Sequence, residues 1–340
     1  MFFRNLTLFR LHADTAADCA RLAEMLPEHA LREPGPLELC TAGTVPPLGA
    51  REGVAFTHAA GSVTLFATGR NERLLPSAVL NEALRRKVQE ISESEARPVG
   101  GRERKRLKED LFTTLLPRAF VVTSRTLGYV DTASGWLVLD TGSRKAAEAM
   151  ITQLREALGS FPVVPMAPTE SPRMLLTHWL SHGLPSGFAL GDECELRDPA
   201  TASGAIAKCS RQDLESDEVA EHLRNGKQVF KLGLVFDERI SFVLGEDLVI
   251  RKLKFLDVVL DQLGDDLHEA SDEIDARLSL QSLELGCLLD KLDALFGLSP
   301  DAPLHLHQQP APNACAGSPA RRWSTPSKTC SAWPSEAATA

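Results

Sequence analysis

Leu107, Leu111 and Leu115 recur every four residues, with Arg106, Lys108 and Glu109 falling elsewhere, which predicts an amphipathic helix stopped by Pro117. Upstream, Pro76-Ser77 opens a helix striped by Leu80, Leu84, Val88 and Ile91, and Arg97–Gly101 breaks it with Pro98, Gly100 and Gly101. Residues 76–116 are therefore expected to form an antiparallel helical pair around a cationic connection, projecting as a small subdomain. On either side the period drops to two. Leu6–Leu11 opens the chain as a strand, and Asp14–Leu26 follows as a helix. Val54–His58 and Val63–Ala67 flank a hairpin turn at Gly61-Ser62, and Phe120–Thr123, Leu127–Asp131 and Trp136–Asp140 are strands after Pro117. Ser143 can cap a helix whose stripe is Ala147, Ile151, Leu154 and Leu158, ended by Gly159.

Pro162, Pro165, Pro168 and Pro172 mark a linker to the second half. There, Met174–Ser181 reads as a helix, Phe188–Cys209 as a polar strand-rich stretch, and Ser216 as the start of a helix ending near Gly226. The clearest strand follows, with Phe230, Leu232, Leu234 and Phe236 on one face and Lys227, Val229, Lys231 and Gly233 on the other. Ile240, Phe242 and Leu244 continue the sheet, and Val249–Phe255 adds a strand bearing Arg251, Lys252 and Lys254. Glu269–Phe296 is acidic and leucine-rich, one long helix or two short ones. Residues 299–340 are rich in Pro, Ala, Ser and His without periodicity, and are expected to be disordered.

The bulk composition narrows the class. A chain of 340 residues, 43% hydrophobic and 24% charged, suits a soluble protein of two or three regions. No apolar run approaches the ~20 residues that span a bilayer, and Met1-Phe2-Phe3-Arg4-Asn5-Leu6 reads as a strand rather than a signal peptide. Seven cysteines without a C-x-x-C pair suggest reduced thiols in a cytoplasmic compartment. The net charge is -9, yet Arg102–Lys108 carries five cations and one anion.

Candidate chemistry is sparse. The chain has no nucleophile elbow, phosphate-binding loop or H-E-x-x-H, and His305-Leu306-His307 lacks ligand partners at usable spacing. Asp192, Glu193 and Glu195 could hold Mg²⁺ for a nuclease, or simply line a solvated edge strand. No coherent catalytic set, metal or cofactor emerges. Two cationic strips are more suggestive: Arg97, Arg102, Arg104, Lys105, Arg106 and Lys108, and then Arg211, Lys227 and Lys231. Each also reads as ordinary solvated surface. Taken together they favour contact with the duplex backbone, since neither has the aromatic interleaving of a single-strand platform.

An ordered set of motifs resembles the bacterial recombination-associated RdgC family. The pieces are Met1-Phe2-Phe3-Arg4-Asn5-Leu6, Val45-Pro46-Pro47-Leu48-Gly49, Leu75-Pro76-Ser77 and Leu115-Leu116-Pro117-Arg118-Ala119-Phe120. Leu158 to Pro165, Arg211-Gln212-Asp213-Leu214, Gly226-Lys227 and Lys252-Leu253-Lys254-Phe255 complete it, covering about residues 1–298. The resemblance implies an α+β, horseshoe-like subunit with antiparallel sheets and a projecting helical pair, closing into a ring-shaped homodimer. Its centre would be residues 1–75 and 117–165, its tip 76–116, and its second region with the base 166–298. It further implies a non-enzymatic protein of the cytoplasm and nucleoid that encircles duplex DNA without sequence preference and limits access of the RecA recombinase. Arg97, Arg118, Arg211, Gln212, Lys227 and Lys231 would serve DNA contact, Arg97 and Arg118 near the bore or the closing contact, and Phe120 would close the ring. The family often has Lys where this chain has Arg211. An acidic outer wall, including Asp257–Asp275, would leave favourable potential for DNA only in the bore. The competing readings are a protein-interaction module, built on the acidic helix and the basic helical pair with incidental DNA binding, and a metal-dependent nuclease.

Overall fold

The computed structural model describes residues 2–12, 15–49, 54–200, 205–263 and 270–298. The tail expected to be disordered, 299–340, lies outside the described residues, as does Asp14. The first half runs β1 (Leu6–Leu11), α1 (Thr15–Ala20), α2 (Leu22–Met25), β2 (Cys40–Val45), β3 (Thr57–Ala60) and β4 (Val63–Leu74). It continues through α3 (Ser77–Glu95), α4 (Gly101–Leu115), β5 (Phe120–Asp131), β6 (Trp136–Asp140), α5 (Arg144–Leu158) and β7 (Val163–Pro165). The second half holds α6 (Pro172–His182), β8 (Phe188–Arg197), β9 (Ile206–Ser210), α7 (Asp217–Arg224) and β10 (Gln228–Phe236). It closes with β11 (Ile240–Gly245), β12 (Ile250–Phe255), α8 (Asp257–Leu260) and α9 (Ala270–Phe296).

One antiparallel sheet carries both halves, in the order β2-β4-β5-β6-β1-β12-β11-β10-β8-β9, with β3 added on β4 and β7 on β1. The junction is narrow. β1 meets β12 at Leu6 opposite Ile250, and Leu253 N–H donates to Arg4 O at 2.8 Å. All six residues of β1 are buried, Thr7 and Arg10 included, because both faces of the strand are covered. Leu6 and Leu8 belong to a core that extends through the second half, while Phe9 and Leu11 face a separate cluster under α1, α2 and α5. α5 starts where Ser143 Oγ accepts from Ala146 N–H and ends at Gly159, whose φ of +76° is cheap without a Cβ. It buries Ala147, Ile151, Leu154 and Leu158, the expected stripe.

The long C-terminal helix straps the halves together. Phe3 N–H donates to Gln281 Oε1 at 2.7 Å, Arg10 pairs with Asp293, and Arg239 Nε donates to Glu284 Oε2 at 2.8 Å. Leu285, Leu288, Leu289, Leu292 and Phe296 of α9 are all buried in the larger core. The stretch 269–296 is therefore a single helix from Ala270 onward.

Several local expectations are corrected. The helix expected over Asp14–Leu26 breaks at Arg21, and Pro27 sits in a tight 3₁₀ turn, Leu26–His29. The strand expected at Val54–His58 runs Thr57–Ala60 instead. Val63–Ala67 and the two pieces after Pro117 extend into β4 and β5, paired continuously from Val63–Asp131 to Leu74–Phe120. The proline-spaced segment contributes β7 to the sheet, with Val163 opposite Leu11. The cations from Arg102 to Lys108 lie within α4 rather than in a connection.

Candidate nucleic-acid interface

The helical pair is a thin structure. α4 buries no residue completely and α3 buries only Leu80, so their apolar stripes half-bury each other and the remaining surface is solvated. Arg102, Arg104, Lys105, Arg106 and Lys108 are all exposed. Arg97, in the same strip, is already committed: it donates to both oxygens of Glu103 at 2.8 Å and to Glu95 at 2.6 Å. Those hydrogen bonds, Glu103 first, hold its guanidinium pKa above the ordinary value. Arg97 thus serves the turn between α3 and α4, and its charge is locally cancelled.

Beyond α4 a 3₁₀ turn, Leu116–Arg118, delivers the chain to β5. Leu116 is buried and anchors this turn. Arg73 fastens it, donating to the carbonyls of Leu116, Pro117 and Ala119 at 3.3–3.4 Å and to Pro34 O at 3.1 Å. One guanidinium thus holds both sides of the corner from which Arg118 and Phe120 emerge. Arg118 is exposed, and Phe120 is 82% exposed. Phe120 begins a strand, yet it is no core residue of the subunit. Leu74, its register partner on β4, and Val122, two residues on, are exposed on the same face as Phe120, and Val121 is exposed on the other. β6 pairs β5 only from Gly128 to Asp131, so the stretch 120–127 keeps one unpaired edge among the described strands.

The second strip is organised around Glu195. This carboxylate is 6% exposed, accepts from Lys231 Nζ at 2.9 Å and from Arg197 Nε at 2.8 Å, and lies opposite Lys208 on β9. Burial works to raise its pKa, but the Lys231 and Arg197 hydrogen bonds outweigh it and hold it below the usual value. Glu193 pairs with Lys252. The carboxylates considered for Mg²⁺ are thus engaged by cations at two of their three positions. No group of three His, Cys, Asp or Glu suited to a metal occurs among the described residues. Lys208, Lys231, Arg251 and Lys252 line a shallow depression of about 270 Å³ with Glu193 and Glu195.

Arg211 and Gln212 continue from β9, whose Ser210 lies opposite Glu193. Arg211 is exposed and has φ +56°, a left-handed conformation costly for a side chain with a Cβ. Gln212 is fastened by its N–H to Asp192 O at 3.2 Å and its Nε2 to Glu218 at 2.8 Å. Lys227 is half-buried and donates to His222 Nδ1 at 3.1 Å. The strand expected to alternate does so only in part: a bulge falls between Val229 and Lys231. Val229 is consequently in the core, while Phe230 is half-buried between the guanidinium groups of Arg173 and Arg197, 4.5 and 4.7 Å from its ring centre.

Within the chain the fold places Arg211 and Gln212 just after β9, Lys231 on β10 and Lys227 just before β10, with β8 between the two strands. Arg97, Arg118 and Phe120 lie elsewhere. Six strand steps separate β5 from β8, about 29 Å at the usual spacing. Lys208 was not singled out from sequence; only its register opposite Glu195 reveals it, since β9 is too short to show alternation.

The fold and these surfaces define an α+β protein built on one large antiparallel sheet with cations presented at two separate places. The family model described as "Putative exonuclease, RdgC" matches residues 1–299. Proteins named recombination-associated protein RdgC are similar over 304 residues, 88% of this chain and 99% of each relative: those of Xanthomonas campestris pv. campestris (strain B100) and Xylella fastidiosa (strain M23) at 46% identity, and that of Stenotrophomonas maltophilia (strain R551-3) at 44%. The chain belongs to the RdgC family of recombination-associated proteins.

Proposed function

We propose that this protein is a non-enzymatic duplex-DNA-binding protein that closes around DNA as a ring-shaped homodimer of horseshoe-like subunits. In this reading it acts in the cytoplasm on the nucleoid, and modulates recombination and replication by limiting RecA access. The observation that carries the reading is Phe120: a large aromatic, 82% exposed on the subunit, at the corner that Arg73 fastens. Burying it against a twin across a two-fold axis would contribute a few kcal/mol, about the worth of one aromatic side chain. The cations of Arg118, Arg211, Lys227 and Lys231 would then neutralise phosphates without reading bases. Phe120→Ala is expected to leave thermal unfolding unchanged while reducing retention on circular duplex DNA, where no end offers an exit. A large drop in melting temperature, with retention following the folded fraction, would reject the gate.

The family description favours a second reading, an exonuclease. Against it stand Glu195 and Glu193, which are held by Lys231, Arg197 and Lys252 rather than left free for a metal. Incubating end-labelled duplex with the purified protein and Mg²⁺ separates the two. Shortening of the label from one end would establish the nuclease.

A further inference from the structure

Two thiols face each other across the last two strands of the sheet. Cys194 on β8 and Cys209 on β9 are register partners, and neither is in a disulfide. Both belong to the core side, Cys194 buried and Cys209 half-buried against the same cluster. Asp198 N–H donates to Ala205 O at 3.3 Å, and alternation from there places Cys194 and Cys209 in the hydrogen-bonded class of pair. Cα atoms in such pairs are about 5.5 Å apart, which is also the usual separation across a disulfide.

We propose that Cys194 and Cys209 form a reversible disulfide when the protein meets a hydroperoxide. Cys209, the more exposed of the two, attacks the peroxide; an S–O bond forms, the O–O bond breaks and one water leaves, giving a sulfenic acid. The Cys194 sulfur then attacks the Cys209 sulfur. The S–S bond forms, the S–O bond breaks, and the departing hydroxide takes the Cys194 proton as a second water. Two thiols are oxidised and one hydrogen peroxide is reduced to two waters. Burial first, then the neighbouring Cys209, pushes the Cys194 pKa up to about 12, which is why the first attack belongs to Cys209.

β9 is the terminal strand and its partner on the sheet is β8. The disulfide pins that edge and, two residues on, the corner bearing Arg211 and Gln212. The effect on DNA rests on the duplex-binding reading above; the thiol chemistry does not. In the test, full-length reduced protein is treated with hydrogen peroxide, alkylated, digested and mapped by mass spectrometry. A peptide pair linked through Cys194 and Cys209 is expected as the main product, reversed by dithiothreitol and distinguished by the map from oxidation at Cys315 or Cys330. Recovery of both thiols alkylated, or of Cys209 as a sulfinic acid beside alkylated Cys194, overturns the proposal. Cys194→Ser supplies the second measurement: it should trap Cys209 as a sulfenic acid that reacts with dimedone, and absence of the adduct is equally fatal. Duplex affinity of oxidised and reduced protein is read separately, so a failure of DNA binding leaves the thiol result standing.

Discussion

Glu195 determines how much positive charge the second strip presents. It holds Lys231 and Arg197 in its own field, so a phosphate approaching that face meets two cations already partly satisfied. Glu195→Gln should strengthen binding to unrelated duplexes and steepen the fall of affinity with salt by about one unit or more. It should also lower stability by about 1–3 kcal/mol, because the new amide cannot match both charged hydrogen bonds. Since the folded carboxylate titrates below its unfolded value, its stabilising contribution is present at neutral pH and fades as pH falls through the folded value. Lys227 makes the complementary case. Lys227→Ala should weaken all duplexes about equally and reduce the salt slope by about one unit. An unchanged slope would leave Lys227 as a partner of His222 and nothing more.

Among the elements, α9 does the most joining, and it does so through few polar contacts. Arg10 lies over the Trp136 ring, 3.6 Å from its centre, and pairs with Asp293 from a largely buried position. Arg10→Ala should cost about 3 kcal/mol, the scale for breaking a buried pair, and a urea midpoint would register it. Much of this level was legible in the sequence. The α3, α5 and β10–β12 segments announce themselves by period, by Pro76, Ser143 and Gly159, and by alternating apolar residues. What escaped was whatever depends on a neighbour. The bulge beside Val229 is a slip of register between β8 and β10, and a second slip, between Leu232 and Leu234, falls where the backbones of Gly191 and Gly233 approach too closely for a Cβ. The exposed outer half of β5 was readable as strand, but only its pairing with β4 shows that it continues unbroken. Arg73 gave no signal at all, because an arginine binding four carbonyls looks like any other surface cation until the corner is built.

At the scale of the molecule, one cationic place is carried by the helical pair inserted between β4 and β5 and the other by the β8–β12 end of the sheet, and the net charge of -9 leaves the average surface unattractive to DNA. Leu298 is buried, and its carbonyl accepts from Ala167 N–H at 3.3 Å, so this residue is itself part of the core. A chain ending after Leu298 should keep its melting temperature and its duplex affinity, whereas loss of either would show that residues 299–340 pack or bind. The long β4–β5 ribbon has a mechanical consequence. From Gly128, where β6 takes its place beside β5, to Phe120 the strand runs on for about 27 Å. Such a ribbon, backed on β4 by β2 from Ala67 to Glu72, is a lever that is stiff along its length and compliant to bending out of its plane. A bend of about 10° at its root swings Phe120 by about 5 Å, given the rise per residue of a strand. Displacement of Phe120 would then be an elastic deflection that keeps the backbone hydrogen bonds of the ribbon, governed by its bending stiffness rather than by local unfolding.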